Sequence, residues 1–230
     1  EGVPGVAKTI TAKLLAKTLS IGFSRIQFTP DLMPSDILGT SVFDLKKSEF
    51  EFKKGPIFSN LILIDEINRA PAKTQAALFE VMEERQITLD GTTYKMTAPF
   101  LVIATQNPIE QEGTYRLPEA QLDRFLFKIN IDYPKLDEEI IILQKEHALL
   151  SSNKLDHIKT HLTAADIHKY QELVKQVLVE PNLLEYIAKL VVNTRENGFL
   201  YLGASPRASI AILNAAKGYA ALRGRDFVTP

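Results

Sequence analysis

The chain has 230 residues, 45% hydrophobic and 24% charged, a balance that suits a globular protein with a sizeable core and room for two unequal domains. Lys and Arg number 27 against 28 Asp and Glu, a formal net charge of −1 that argues against constitutive wrapping of nucleic acid. Without cysteine there is no disulfide or thiolate chemistry, which suits a reducing, cytoplasmic setting, and no apolar run approaches the ~18 residues of a membrane span.

The chain opens with Glu1-Gly2-Val3-Pro4-Gly5-Val6-Ala7-Lys8-Thr9, which fits the phosphate-loop pattern G-x-x-x-x-[GA]-K-[ST]. Gly2 and Gly5 allow a tight turn and a close approach of backbone to an anion. Pro4 has no N–H and stiffens the loop, leaving the amides of Gly5, Val6, Ala7, Lys8 and Thr9 as the expected cradle. Lys8 is expected to reach the β- and γ-phosphates, and the Thr9 hydroxyl to hold Mg²⁺. Ala7 stands where glycine is usual, which requires the negative φ of a first helical turn. The helix that follows has Ile10, Leu14, Leu15 and Leu19 as its expected buried stripe, and its N-terminus favours phosphate. A strand precedes such a loop in a nucleotide-binding sheet and none precedes Glu1, so the sequence reads as a cropped piece of a longer chain. The same residues, taken alone, also suit a plain Gly/Pro turn before a helix.

Further along, Ile26-Gln27-Phe28 reads as a short strand, Thr29-Pro30-Asp31 as a turn, and residues 34–38 as a short helix. Residues 42–56 read as a hairpin, either a plain surface feature or a substrate-contacting insertion. Leu61-Ile62-Leu63-Ile64-Asp65-Glu66 is an unbroken apolar run ending in two acids, as a strand buried on both faces of a parallel sheet requires. Acids at that carboxyl end lie where ligands bind in such sheets. Asp65 is expected to anchor Mg²⁺ and Glu66 to orient and deprotonate the attacking water. A helix is predicted over 72–85, with Ala76, Leu78, Phe79 and Met82 available for the core.

Asp90-Gly91 centres a second hairpin over 87–97. Residues 100–105 form another continuous apolar strand, ending in Gln106-Asn107-Pro108. Asn107 suits a hydrogen bond to the γ-phosphate or the attacking water, and equally a turn before proline. Residues 117–123 read as a short helix and 125–131 as the last strand. Helices dominate beyond Pro134: over 136–150, from Thr163 through Val179, and from Asn182 to Asn197-Gly198. The last opens at Ser205-Pro206 and ends at Gly224.

Two arginines stand out. Arg124, in Leu122-Asp123-Arg124-Phe125, suits neutralisation of a γ-phosphate on a neighbouring subunit, although spacing alone favours an Arg–Asp surface pair. Arg207 lies at the second position of the helix capped by Ser205, where a cation opposes the helix dipole. Such a local conflict marks a phosphate-contacting role.

With these residues placed, the chain resembles an AAA+ ATPase of the MoxR type. The resemblance covers essentially the whole chain. It rests on the opening loop, on Leu63-Ile64-Asp65-Glu66-Ile67-Asn68-Arg69-Ala70, and on Ala104-Thr105-Gln106-Asn107-Pro108. It extends to Gln111-Glu112-Gly113-Thr114-Tyr115, Leu117-Pro118-Glu119-Ala120-Gln121-Leu122-Asp123-Arg124-Phe125 and Gly203-Ala204-Ser205-Pro206-Arg207-Ala208. Ala before the lysine is common in this family. Arg116 departs from it, standing where proline is expected, and leaves open which arginine acts in trans.

The resemblance implies a P-loop αβα sandwich with a parallel sheet of order 5-1-4-3-2, its first strand absent from this sequence, over residues 1–134. It implies an all-α lid over 135–230. Lys8, Thr9, Asp65 and Glu66 then belong to the two Walker motifs, Asn107 is sensor 1, Arg124 the arginine finger and Arg207 sensor 2. The cofactors implied are ATP and Mg²⁺. The implied assembly is a ring, usually a hexamer, remodelling client proteins such as those with von Willebrand factor A domains and assisting metal or cofactor insertion. Competing readings are a nucleic-acid motor or loader, a magnesium-chelatase-like ATPase subunit, and a switch that binds nucleotide without hydrolysis. The near-neutral charge weighs against nucleic acid.

Overall fold

The computed structural model describes residues 1–2, 8–106, 115, 117–148 and 158–230. In chain order these form α1 (Lys8–Leu19), β1 (Phe23–Gln27), α2 (Pro34–Leu38), β2 (Gly39–Asp44), β3 (Glu49–Lys54), β4 (Leu61–Asp65), α3 (Ala72–Glu84), β5 (Gln86–Leu89), β6 (Thr92–Lys95), β7 (Leu101–Ala104), α4 (Glu119–Leu122), α5 (Leu136–Ala148), α6 (Ala164–Lys175), α7 (Pro181–Glu196) and α8 (Pro206–Leu222). They divide into two compact units, Glu1–Leu117 with Lys128–Ala164, and Pro118–Phe127 with Ala165–Pro230.

The first unit is built on a parallel sheet of order β1–β4–β7. β4 lies in the middle, and all five of its residues, Leu61 to Asp65, are buried, as its unbroken apolar run requires. α1 packs on this sheet, with Ile10, Leu14 and Leu19 of the expected stripe only half-buried. Ala12 and Ala16 are its buried residues, clustered with Leu61 and Leu63, whereas Leu15 is exposed. Alanine has no side chain beyond Cβ, so a helix can lie closest to the strands along that line. α3 likewise buries Thr74, Gln75, Leu78, Phe79 and Val81, with Ala76 outside the core. Gln75 is tolerated there because its Nε2 donates to the carbonyls of Ile67 and Ala70, both at 3.1 Å.

Residues 125–131 do not form the expected strand. Among the described residues, the backbone pairing of this stretch is a parallel bridge of Ile131 with Gly2, a 2.9 Å bond from the Ile131 N–H to the Glu1 carbonyl and a 2.7 Å bond from the Glu1 amino group to the Ile129 carbonyl. A strand is a strand by virtue of its neighbour, and among the described residues Glu1 and Gly2 are the ones that pair with this stretch. β7 is only partly buried, with Leu101 exposed.

Both predicted hairpins are present. Asp90 and Gly91 have φ of 49° and 77°, the positive pair that a two-residue turn matching strand twist needs. The hairpins are joined. Phe52 of β3 packs on Tyr94 of β6 with ring centroids 4.4 Å apart, and Ser41 Oγ donates to Asp90 Oδ2 at 2.6 Å. The far end of β2–β3 presents Phe43 against Phe50, together with Leu45, all exposed.

The second unit is helical. α8 has the start predicted and α7 begins one residue earlier than predicted, with Pro181 and Pro206 inside their first turns. α6 ends at Lys175 rather than Val179, because Leu178 turns its backbone to Asp226 and Val228 in a short bridge instead of continuing the helix. Among the described residues no helix is long and apolar enough to cross a membrane.

Candidate functional site

The first unit brings the chain's opening together with the end of β4. Lys8 begins α1, and its Nζ donates to the Gly2 carbonyl at 2.6 Å. This contact holds the ammonium beside Gly2, next to the start of a helix, where backbone N–H groups favour anions. Gly2 has a packing reason as well as a loop reason: a Cβ there would meet the Ile131 carbonyl oxygen at 2.6 Å. The Thr9 hydroxyl points to Asp65 Oδ2 at 3.5 Å, although 56 positions separate them in sequence.

Asp65 is buried and its two oxygens have different partners. Oδ2 also accepts from Arg25 Nε at 2.6 Å, and Oδ1 accepts from the Thr105 hydroxyl at 3.2 Å. That hydroxyl in turn accepts the Glu66 N–H at 3.0 Å. Asp65 and Glu66 are thereby fixed from both neighbouring strands, because Gln27 pairs with Asp65 across β1–β4 and Thr105 directly follows β7.

Glu66 has φ 58° and ψ 52°, a left-handed backbone that a non-glycine residue adopts only under constraint from its surroundings. The turn stops the strand and leaves the Glu66 side chain partly exposed. Its Oε2 accepts from Gln27 Nε2 at 2.9 Å and lies 3.2 Å from Arg69 Nε.

In the second unit, Arg124 is half-buried just after α4, and its N–H donates to Gln121. Arg207 occupies the second position of α8, and its N–H donates to the Ser205 hydroxyl at 3.1 Å, as a capping serine should. Its guanidinium lies 3.6 Å from Asp123 Oδ2.

The model of the "ATPase family associated with various cellular activities (AAA)" matches residues 1–127, and that of an AAA lid domain matches residues 192–230. YeaC of Bacillus subtilis is 47% identical over 230 residues, covering 100% of this chain and 71% of that protein. Chaperone MoxR1 of Mycobacterium tuberculosis is 46% identical over 239 residues, covering 100% of this chain and 62% of that protein. A crystal structure of a candidate ATPase from Cytophaga hutchinsonii superposes with a TM-score of 0.88 at 45% identity, covering 100% of this chain and 71% of that one.

The chain is a MoxR-type AAA+ ATPase.

In this ATPase, Lys8, Thr9, Asp65 and Glu66 fall in one place. Gly2 lies beside them, while Val3, Pro4, Gly5, Val6, Ala7, Asn107 and Arg116 lie outside the described residues. Arg124 and Arg207 belong to the other unit. The donor set suits a magnesium nucleotide: an ammonium at a helix start for phosphate, and a hydroxyl beside a carboxylate, both hard oxygen ligands, for Mg²⁺.

Sequence reasoning missed Arg25, Gln27, Thr105 and Asp123. Arg25 and Gln27 carry a faint signal, two polar side chains at a spacing of two on one face of the strand Phe23-Ser24-Arg25-Ile26-Gln27. Thr105 and Asp123 carry none beyond their motifs, since their partners are distant in sequence.

Proposed function

We propose that this MoxR-type ATPase binds ATP with Mg²⁺ at the chain's opening and hydrolyses it there. The observation that carries the reading is the meeting of Thr9 with Asp65, with Glu66 turned out beside them. Gly2, Val3, Pro4, Gly5, Val6 and Ala7 form the loop that wraps the phosphates, and Lys8 neutralises their charge. Thr9 and Asp65 would hold Mg²⁺, which would supply positive charge to offset that of the phosphates. Glu66 orients a water and takes its proton, held in place by Gln27 and Arg69. Asn107 positions that water, while Arg124, from a neighbouring subunit, and Arg207 supply cations for charge developing on the γ-phosphate.

The same reading gives residues 1–134 the nucleotide and residues 135–230 the lid. It assembles subunits into a cytoplasmic ring, six-membered in the family's usual form, because a finger acting in trans requires a neighbour. The work done is chaperone-like remodelling of a client, with von Willebrand factor A domain proteins and metal or cofactor insertion as the expected context. The exposed Phe43, Leu45 and Phe50, on a hairpin tied to its neighbour through Phe52 and Tyr94, supply an apolar surface for such a client. The name of the relative Chaperone MoxR1 supports this over a nucleic-acid motor.

The test is phosphate release by the full-length protein and its Glu66→Gln variant. Glu66→Gln should keep ATP bound and lose turnover by on the order of a hundredfold or more, the share typical of a general base. Normal turnover in that variant would sink the base assignment. Pull-down with the same ATP-loaded variant should then retain the client.

A further inference from the structure

Asp123 is the C-cap residue of α4, its N–H bonded to the carbonyls of Gln121 and Glu119. Its carboxylate faces the start of α8. Ser205 Oγ lies 2.8 Å from Oδ1 and 2.7 Å from Oδ2, and Arg207 Nη1 lies 3.6 Å from Oδ2. Ser205 therefore has two tasks: its proton goes to Asp123 while its oxygen accepts the Arg207 N–H. Carboxylate, hydroxyl and arginine form one closed set joining residues 82 positions apart.

Capping a helix needs only the serine. The carboxylate adds two things. Its charge lies at a helix N-terminus, where an anion is favoured and where Arg207 by itself is not. It also attracts the guanidinium without gripping it, since 3.6 Å is beyond an ordinary N–H···O bond and both side chains keep access to water. The carboxylate thus keeps the cation at the helix start, where a phosphate of higher charge can compete for it. The next residue in the chain is Arg124, so one carboxylate is anchored between the two arginines assigned to phosphate.

We propose that Asp123 is a positioning residue for hydrolysis: it holds Arg207 poised at the start of α8 and ties that arginine to the segment carrying Arg124. The inference rests on the ATPase reading above. Its test is a double-mutant cycle in the full-length protein, with ATP turnover and ADP affinity as readouts. Asp123→Asn keeps an oxygen for Ser205 and removes the charge. It should lower kcat by roughly tenfold to a hundredfold, since misplacing a catalytic group by about 1 Å costs on that order. ADP affinity should stay within about twofold, and Asp123→Glu should recover most of the loss. In an Arg207→Gln background Asp123→Asn should lower kcat no further, because residues acting as a unit are non-additive.

Equal losses in both backgrounds, or no loss in either, would overturn the role. Asp123→Ser, also uncharged, repeats the cycle if the asparagine variant folds poorly. A wild type without ATP turnover would overturn the functional reading, and the inference with it. An additive cycle in an active enzyme would overturn the inference alone.

Discussion

Arg25 Nε lies 2.6 Å from Asp65 Oδ2, joining neighbouring strands at the sheet end where Glu66 follows. Asp65 is buried and Arg25 is half in water, so the arginine keeps most of its own solvation while relieving a carboxylate that has lost its water. The attraction is weaker than in a dry interior, yet removing it leaves a buried charge with two hydroxyl donors, one of them at 3.5 Å. Arg25→Ala should therefore destabilise the protein by about 1–3 kcal/mol in urea unfolding, the usual range for a lost charge-assisted hydrogen bond. A change below about 0.5 kcal/mol, ordinary for a surface substitution, would mean the pair contributes little.

Thr105 separates two requirements that a strand end must meet. Its hydroxyl donates to Asp65 and accepts from Glu66, so both acids depend on one oxygen. Thr105→Val keeps the shape and leaves the Glu66 N–H and Asp65 Oδ1 each a partner short. A loss of about 1–3 kcal/mol is expected from unsatisfied buried groups. Thr105→Ser, which keeps the oxygen, should lose clearly less. A loss in Thr105→Ser with none in Thr105→Val would show that the methyl group, not the hydroxyl, matters.

The contrast between Leu61–Asp65 and residues 125–131 shows what could be read in advance. The former run is apolar without interruption, which only a doubly covered strand tolerates, and the structure buries every residue of it. The Asp90-Gly91 turn and the Ser205 cap are likewise local patterns, and the structure has both. The stretch 125–131 has strand-like residues, but its state depends on a neighbour, and among the described residues Glu1 and Gly2 supply it. The Ala12/Ala16 seam of α1 was hidden for a different reason: periodicity marks apolar faces but does not say which one lies closest to the sheet. Arg25, Thr105 and Asp123 owe their roles to partners about 40 or 80 positions away, which no local pattern encodes.

Two glycines separate strain from crowding. Gly91 has φ 77° with nothing within 4 Å of a built Cβ, whereas Gly39 has φ 103° and its Cβ would run into the Lys53 carbonyl and lie 2.6 Å from the Gly55 nitrogen. Gly91→Ala should cost only the backbone term, roughly 1–2 kcal/mol. Gly39→Ala should cost more, because the root of the β2–β3 hairpin must also open, a combination of strain and overpacking in the range of about 2–4 kcal/mol. Thermal unfolding of the two variants side by side decides it, and the reverse order would contradict the packing described.

The central claim is that a nucleotide with its magnesium is gripped at the start of α1 and against Asp65. Calorimetric titration of the full-length protein with ATP and Mg²⁺ tests it most directly, comparing wild type with Lys8→Ala. Saturable heat is predicted for the wild type, with a loss of at least about tenfold in affinity for the variant, about 1.4 kcal/mol. No heat from the wild type, or equal binding by both proteins, would contradict it.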